Sequence, residues 1–168
     1  MIPTPRRSAV TLGVLALILG WVSQAGAQES TIPSSMFEGH QDKRVIASQL
    51  RWAAKLGRKA LVGFEAAPRD PSLPLDEAVN ADVIRAARET YGLIRGARHG
   101  LELMIGNQKF PDPIDQLIFK QLTDAWNLSR YPGDKWTWAV PREEYLSTSV
   151  ESLSRAVQIV DRVLVLLP

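Results

Sequence analysis

The sequence predicts an all-α protein: an antiparallel four-helix bundle in up-down-up-down order behind a cleaved N-terminal signal peptide. Three observations lead there. Four segments repeat apolar or small residues at alternating spacings of three and four, the period of one helix face. Clusters rich in proline, glycine, asparagine and aspartate separate them. No stretch alternates as a strand, and no internal repeat or low-complexity tract breaks the pattern. With 168 residues the chain has room for one domain with a real core.

Residues 1–27 read as a targeting segment, outside that domain. Arg6 and Arg7 form a basic start, Ala9 to Val22 is an apolar run, and Ala25-Gly26-Ala27 is a small-x-small cleavage site. The run is too short and wrongly flanked for a membrane span, which needs about 20 residues. The expectation is export by the general secretory route to the periplasm or the medium, with no stable membrane span after cleavage. The chain has no cysteine, which excludes lipidation at a lipobox and disulfides. Cleavage removes two of the 20 basic residues and leaves 18 against 18 acidic, a formal charge near zero. That balance argues against a nucleic-acid partner.

Residues 28–39 are a polar lead-in, with a short turn expected at Ser35, where Ser-x-x-Glu38 matches a capping box. The bundle domain then occupies 40–168. Its first helix is expected over about 40–67, with Ile46, Leu50, Ala53, Gly57, Ala60, Phe64 and Ala67 on one face. Pro68 and the segment after it end this helix. The second starts at Asp76 or Asn80, carries Val83, Ala87, Tyr91, Ile94, Ala97, Leu101 and Ile105 inward, and stops at Gly106-Asn107. The third opens with Asp112 as cap and Pro113 in the first position, turns Ile114, Ile118, Leu122 and Ala125 inward, and ends near Arg130. The fourth opens with Pro141 and the acids Glu143 and Glu144, suited to a positive helix end. Leu146, Val150, Leu153, Val157, Val160, Leu164 and Leu167 follow without a break.

These lengths frame the loop 131–140, which holds Trp136 and Trp138. Helices one, two and four span about 38–40 Å and helix three about 26 Å, so the third stops about 12–14 Å short of the pole where the fourth begins. The two tryptophans then either replace the missing turns and close the core or present an exposed aromatic platform. Loop 68–76 belongs at the same pole.

Two surfaces are candidates for function. On the first helix, Arg44, Arg51, Lys55 and Arg58 form a basic ridge opposite the apolar stripe, with Lys59 beside them. Residues 42–59 carry six basic side chains against Asp42 alone. Either neighbouring acids balance this face, or it meets an anionic partner such as an acidic protein, a phosphate-bearing ligand or lipid headgroups. On the second helix, Gly92, Gly96 and Gly100 recur every fourth residue on the outer face, flanked by Arg88, Arg95 and His99. Each glycine costs about 0.8–1 kcal/mol against alanine in a helix. A smooth groove of this kind lets another backbone approach, from a second copy or a partner helix; an anion-binding groove is the second reading. Arg98 projects nearer the apolar side, with Asp124 on the third helix as an expected partner.

Catalytic signals are sparse. His40 and His99 are the two histidines, and no metal-ligand spacing, Gly-rich phosphate loop or nucleophile motif accompanies them. Exported four-helix bundles such as b-type cytochromes share the architecture, but their ligand residues have no counterparts here. No cofactor or metal is expected. The sequence points to a non-enzymatic bundle that acts as a protein-interaction or accessory module, binding another protein or itself through the glycine groove of the second helix and the basic ridge of the first. The alternative is a binder or sensor of a small anionic or aromatic ligand, using Trp136, Trp138 and Arg69, or Arg88, Arg95 and His99.

Overall fold

The computed structural model describes residues 32–70, 79–109, 111–134 and 140–168. The expected signal peptide, most of the lead-in before it turns, Asp76 and both Trp136 and Trp138 lie outside these residues. Within 33–168, a 3-10 turn (Ser34–Phe37) precedes four helices: α1 (Lys43–Glu65), α2 (Ala81–Gly106), α3 (Pro113–Asp134) and α4 (Arg142–Leu166). Each helix packs on its neighbours in sequence, and α1 packs on α4. Phe64, at the end of α1, meets Tyr145, at the start of α4, ring edge to ring face at 6.1 Å. Tyr131, at the end of α3, reaches the same Tyr145 at 5.7 Å. This is the contact pattern of an up-and-down bundle. No helix among the described residues is long and apolar enough to cross a membrane.

The starts follow local chemistry. Asp42 accepts from the Arg44 amide at 2.8 Å, Asn80 from Asp82 at 2.8 Å, and Asp112 from Ile114 at 2.8 Å. Each satisfies an amide that the helix itself leaves unpaired. Of the two expected starts of α2, Asn80 is the cap. The capping box at Ser35 does not form: the turn there is 3-10, capped by no side chain, and the Glu38 amide bonds the Ser35 carbonyl.

The whole predicted stripe of α1 is buried. So are Ala87, Ile94, Ala97 and Leu101 of α2, Ile118, Leu122 and Ala125 of α3, and Leu146, Leu153, Val157, Val160 and Leu167 of α4. Close helix approach has visible causes. A Cβ on Gly57 would stand 2.5 Å from a Val157 methyl, and one on Gly63 would collide with Val83, so a valine from each neighbouring helix seats directly on the backbone of α1.

Two expectations fail on α3. Ile114 is 51% exposed, and the adjacent Asp115 is buried instead, 2.6 Å from Lys43 in an ionic contact that lacks hydrogen-bond alignment. The helix also does not end near Arg130. It runs through Pro132 to Asp134, 22 residues against 23 in α1. A proline normally stops a helix because it has no N–H and its ring crowds the carbonyl four residues back. Here packing holds the last turn. Gly133 lies so close to α2 that a Cβ would be 2.7 Å from the Tyr91 Cβ and 3.1 Å from the Ala87 carbonyl. This extension adds about 6 Å at 1.5 Å per residue, and α1, at 23 residues, is shorter than the expected 40–67, so α1 and α3 are nearly equal in length.

Candidate functional site

The glycine face of α2 is not an open outer surface. Gly96 and Gly100 are buried, and residues 37–40 of the same chain lie along them as a strap. A Cβ on Gly92 would be 2.8 Å from the Phe37 ring, one on Gly96 would be 2.7 Å from the Phe37 carbonyl oxygen, and one on Gly100 would strike the His40 backbone. Two of these neighbours are main chain, which cannot swing aside as a side chain does. Gly96 and Gly100 thus admit another backbone and Gly92 admits the Phe37 ring, and the occupant is this chain's own strap rather than the second copy or partner helix expected.

The strap is tied from several sides. Gln49 of α1, itself fully buried, donates Nε2 to the carbonyls of Met36 at 2.8 Å and Glu38 at 2.7 Å. His40 Nε2 bonds the Ser35 carbonyl at 2.8 Å, and Asn107 at the end of α2 donates to Gln41 at 3.0 Å. Gln49 falls beside the apolar stripe of α1, and no sequence signal marks it as a clamp.

Where the strap, α2 and α3 meet, a groove of about 550 Å³ remains. It gathers three residues of the expected site, Arg95, Gly96 and His99, and adds Arg98. Sequence reasoning missed its other walls, Phe37 to Gly39 on the strap and Trp126 on α3. Arg88 is not part of it; this exposed residue lies toward the opposite pole, where its charge acts on Tyr145. Gly92 and Gly100 flank the groove under Phe37 and His40.

Arg98 is the most constrained charge there. Its guanidinium lies 4.7 Å from the Phe119 ring and 5.3 Å from the Trp126 ring, within cation–π range of both. Nε donates to the Thr123 hydroxyl at 3.1 Å, and that hydroxyl donates onward to the Phe119 carbonyl at 2.9 Å. Nη1 donates to Glu102 at 3.1 Å. The carboxylate partner is therefore Glu102 on its own helix, not Asp124, which is exposed and lines a separate hollow of about 380 Å³ with Arg155 and Arg162. A four-residue separation on one helix face brings Glu102 within reach without any tertiary contact. Trp126 also stacks on Tyr91 at 6.3 Å, and Arg95 sits 6.0 Å from the other ring of that pair. Glu102 is shared, since His99 Nδ1 lies 3.5 Å from it.

The ridge of α1 is exposed along its length: Arg44, Arg51, Lys55 and Arg58 all face solvent. Arg58 places one terminal nitrogen 2.7 Å from both oxygens of Asp161 on α4. Lys55 lies 4.8 Å from the Trp52 ring. Among the described residues no acid comes within ion-pair distance of Arg44, Arg51, Lys55 or Lys59.

Comparison with known proteins finds no relative: no family model matches the chain, and no curated protein or solved structure matches it. Function must therefore be argued from these surfaces. Among the described residues no group of three or more histidines and acids is placed to hold a metal ion. Burial pushes the phenols of Tyr145 and Tyr131 above their usual value of 10.0. The nearby Tyr131 adds to the effect at Tyr145, while the Ser149 hydroxyl and Arg88 oppose it. A phenol held neutral inside an aromatic cluster is a packing group, and neither tyrosine lines the grooves described above.

Proposed function

We propose that this chain is an exported, non-enzymatic interaction module that binds an acidic protein segment along the ridge of α1. The observation behind it is that Arg44, Arg51, Lys55 and Lys59 are exposed on one helix with no acid within ion-pair distance among the described residues, while Arg58 beside them takes Asp161. Unpartnered cations in a row repel one another by a few tenths of a kcal/mol per neighbouring pair, and an opposing row of carboxylates reverses that sign. Arginine predominates over lysine in the domain, which suits planar, two-pronged contacts to carboxylates. The glycine stripe of α2 is the weaker docking surface, because a second copy or a partner helix has to displace the strap first.

The test is fluorescence anisotropy with a labelled glutamate-rich peptide at low and physiological salt. The wild type binds with marked salt dependence, and the triple variant R44E/R51E/K55E, whose sites are all exposed, folds normally and does not bind. Equal binding by the two proteins, or none by either, refutes the reading. Binding to anionic vesicles in place of the peptide reassigns the ridge to a lipid surface. The export half of the reading rests on residues 1–27 and is tested separately, by mass spectrometry of the protein from its native host: the mature chain begins at Gln28.

A further inference from the structure

We infer that the groove between the strap, α2 and Trp126 is a binding site for a small aromatic carboxylate, whose acid group meets Arg98 and whose ring lies on Phe37 and Trp126. It is separate from the α1 ridge. Its volume, about 550 Å³, lies in the range of small-molecule pockets.

Arg98 carries the argument. Its Nε and Nη1 are committed to Thr123 and Glu102, and two aromatic rings lie within cation–π distance of the guanidinium. Among the described residues nothing pairs with Nη2, and the side chain keeps 22% of its surface open. The donor is therefore held in place before any ligand arrives, which removes an ordering cost that a free arginine carries. A carboxylate oxygen is the acceptor such a donor binds most strongly.

The surrounding charges narrow the class. Arg95 is an exposed guanidinium on the same groove with no acid within ion-pair distance among the described residues, and His99 adds a further nitrogen base. Glu102 offsets one positive charge, and Glu38 on the strap adds one exposed carboxylate at the rim. The four formal charges cancel, so the groove offers a placed donor rather than a net positive field, which disfavours a dianion such as phosphate. Between these groups Phe37 and Trp126 supply the apolar lining, the kind of surface that suits an aromatic ring. Two sources share this chemistry: a free aromatic acid, and an aromatic amino acid whose ammonium group faces Glu38.

The experiment titrates isotopically labelled full-length domain with phenylacetate, L-phenylalanine, benzyl alcohol and inorganic phosphate at millimolar concentration. Binding is followed by calorimetry and by the indole N–H resonance of Trp126, assigned with Trp126→Phe. A saturable shift is expected with phenylacetate or phenylalanine, and none with benzyl alcohol, which has the ring without the acid. Arg98→Gln weakens binding about tenfold or more, the usual worth of a charged hydrogen bond. Arg95→Gln, at an exposed site that leaves the fold intact, weakens it by less. Glu38→Gln separates the sources: it strengthens phenylacetate and weakens phenylalanine if the amino acid is the ligand class, and strengthens phenylacetate alone if the free acid is. No saturable shift with either acid, equal binding of benzyl alcohol, tighter binding of phosphate, or unchanged affinity in both arginine variants overturns the inference.

Discussion

Gln49 holds Glu38 from inside the bundle: its Nε2 donates to the Glu38 carbonyl at 2.7 Å, and the same nitrogen serves Met36. The wall of the groove thus depends on one buried amide of α1. Gln49→Leu removes both bonds at nearly constant volume and leaves two carbonyls facing an apolar side chain. The expected loss is about 1–3 kcal/mol in urea unfolding. Hydrogen exchange must quicken at the Met36 to His40 amides before the helices change; uniform quickening would mean that the strap has no separate role.

The glycines of α2 give a test with an internal control. In an open helix Gly→Ala stabilises, by up to about 1 kcal/mol. Gly106 has nothing within 4 Å of a new Cβ, so Gly106→Ala should be neutral to mildly stabilising. At Gly96 and Gly100 the added methyl meets strap backbone, and the strap must lift. Gly96→Ala and Gly100→Ala are expected to destabilise by about 1–3 kcal/mol despite better helix propensity. Stabilisation at either position, read from thermal melts, would contradict the packing.

Two ion pairs differ in worth because they differ in burial. Lys43→Met leaves Asp115, 2% exposed, without its partner, and is expected to cost about 1–3 kcal/mol. Arg58→Ala breaks a pair whose side chains are 56% and 43% exposed, and is expected to cost below about 0.5 kcal/mol. Chemical denaturation of both variants checks the order, and a reversed ranking would sink it.

Alkaline pH should weaken the fold through the tyrosine cluster. The folded phenols of Tyr145 and Tyr131 titrate above their unfolded value of 10.0, so folding favours the protonated form. Their contribution is complete below that value and is lost as pH rises through the folded value. Urea unfolding at rising pH, with tyrosinate absorbance as the second probe, should show stability falling only above about pH 10. Tyr145→Phe should flatten the fall; an unchanged slope would place its cause elsewhere.

How far the residues alone carried this picture differs by element. The stripe of α1 and the starts at Asn80 and Asp112 were readable because helix period and capping are local: each depends on neighbours within a few positions. The end of α3 was not, because Pro132 signals a stop and the contact of Gly133 with α2 outweighs it. Ile114 reads as core by spacing, yet Asp115 takes the inner position because Lys43 stands opposite. The stripe Gly92, Gly96 and Gly100 announced a close backbone approach without naming the occupant.

Periodicity, caps and composition were enough for four helices, their inward faces and the two surfaces with unusual residues. Tertiary structure decided that the lead-in lies on the glycines, that Arg98 lies against Phe119 and Trp126, and that Arg95 and His99 share a groove with Phe37. The reason is the range of the interactions. Helix period and capping act between residues a few positions apart, whereas Gln49 meets Glu38 across 11 residues and Arg98 meets Thr123 across 25, pairings that exist only once the helices have packed.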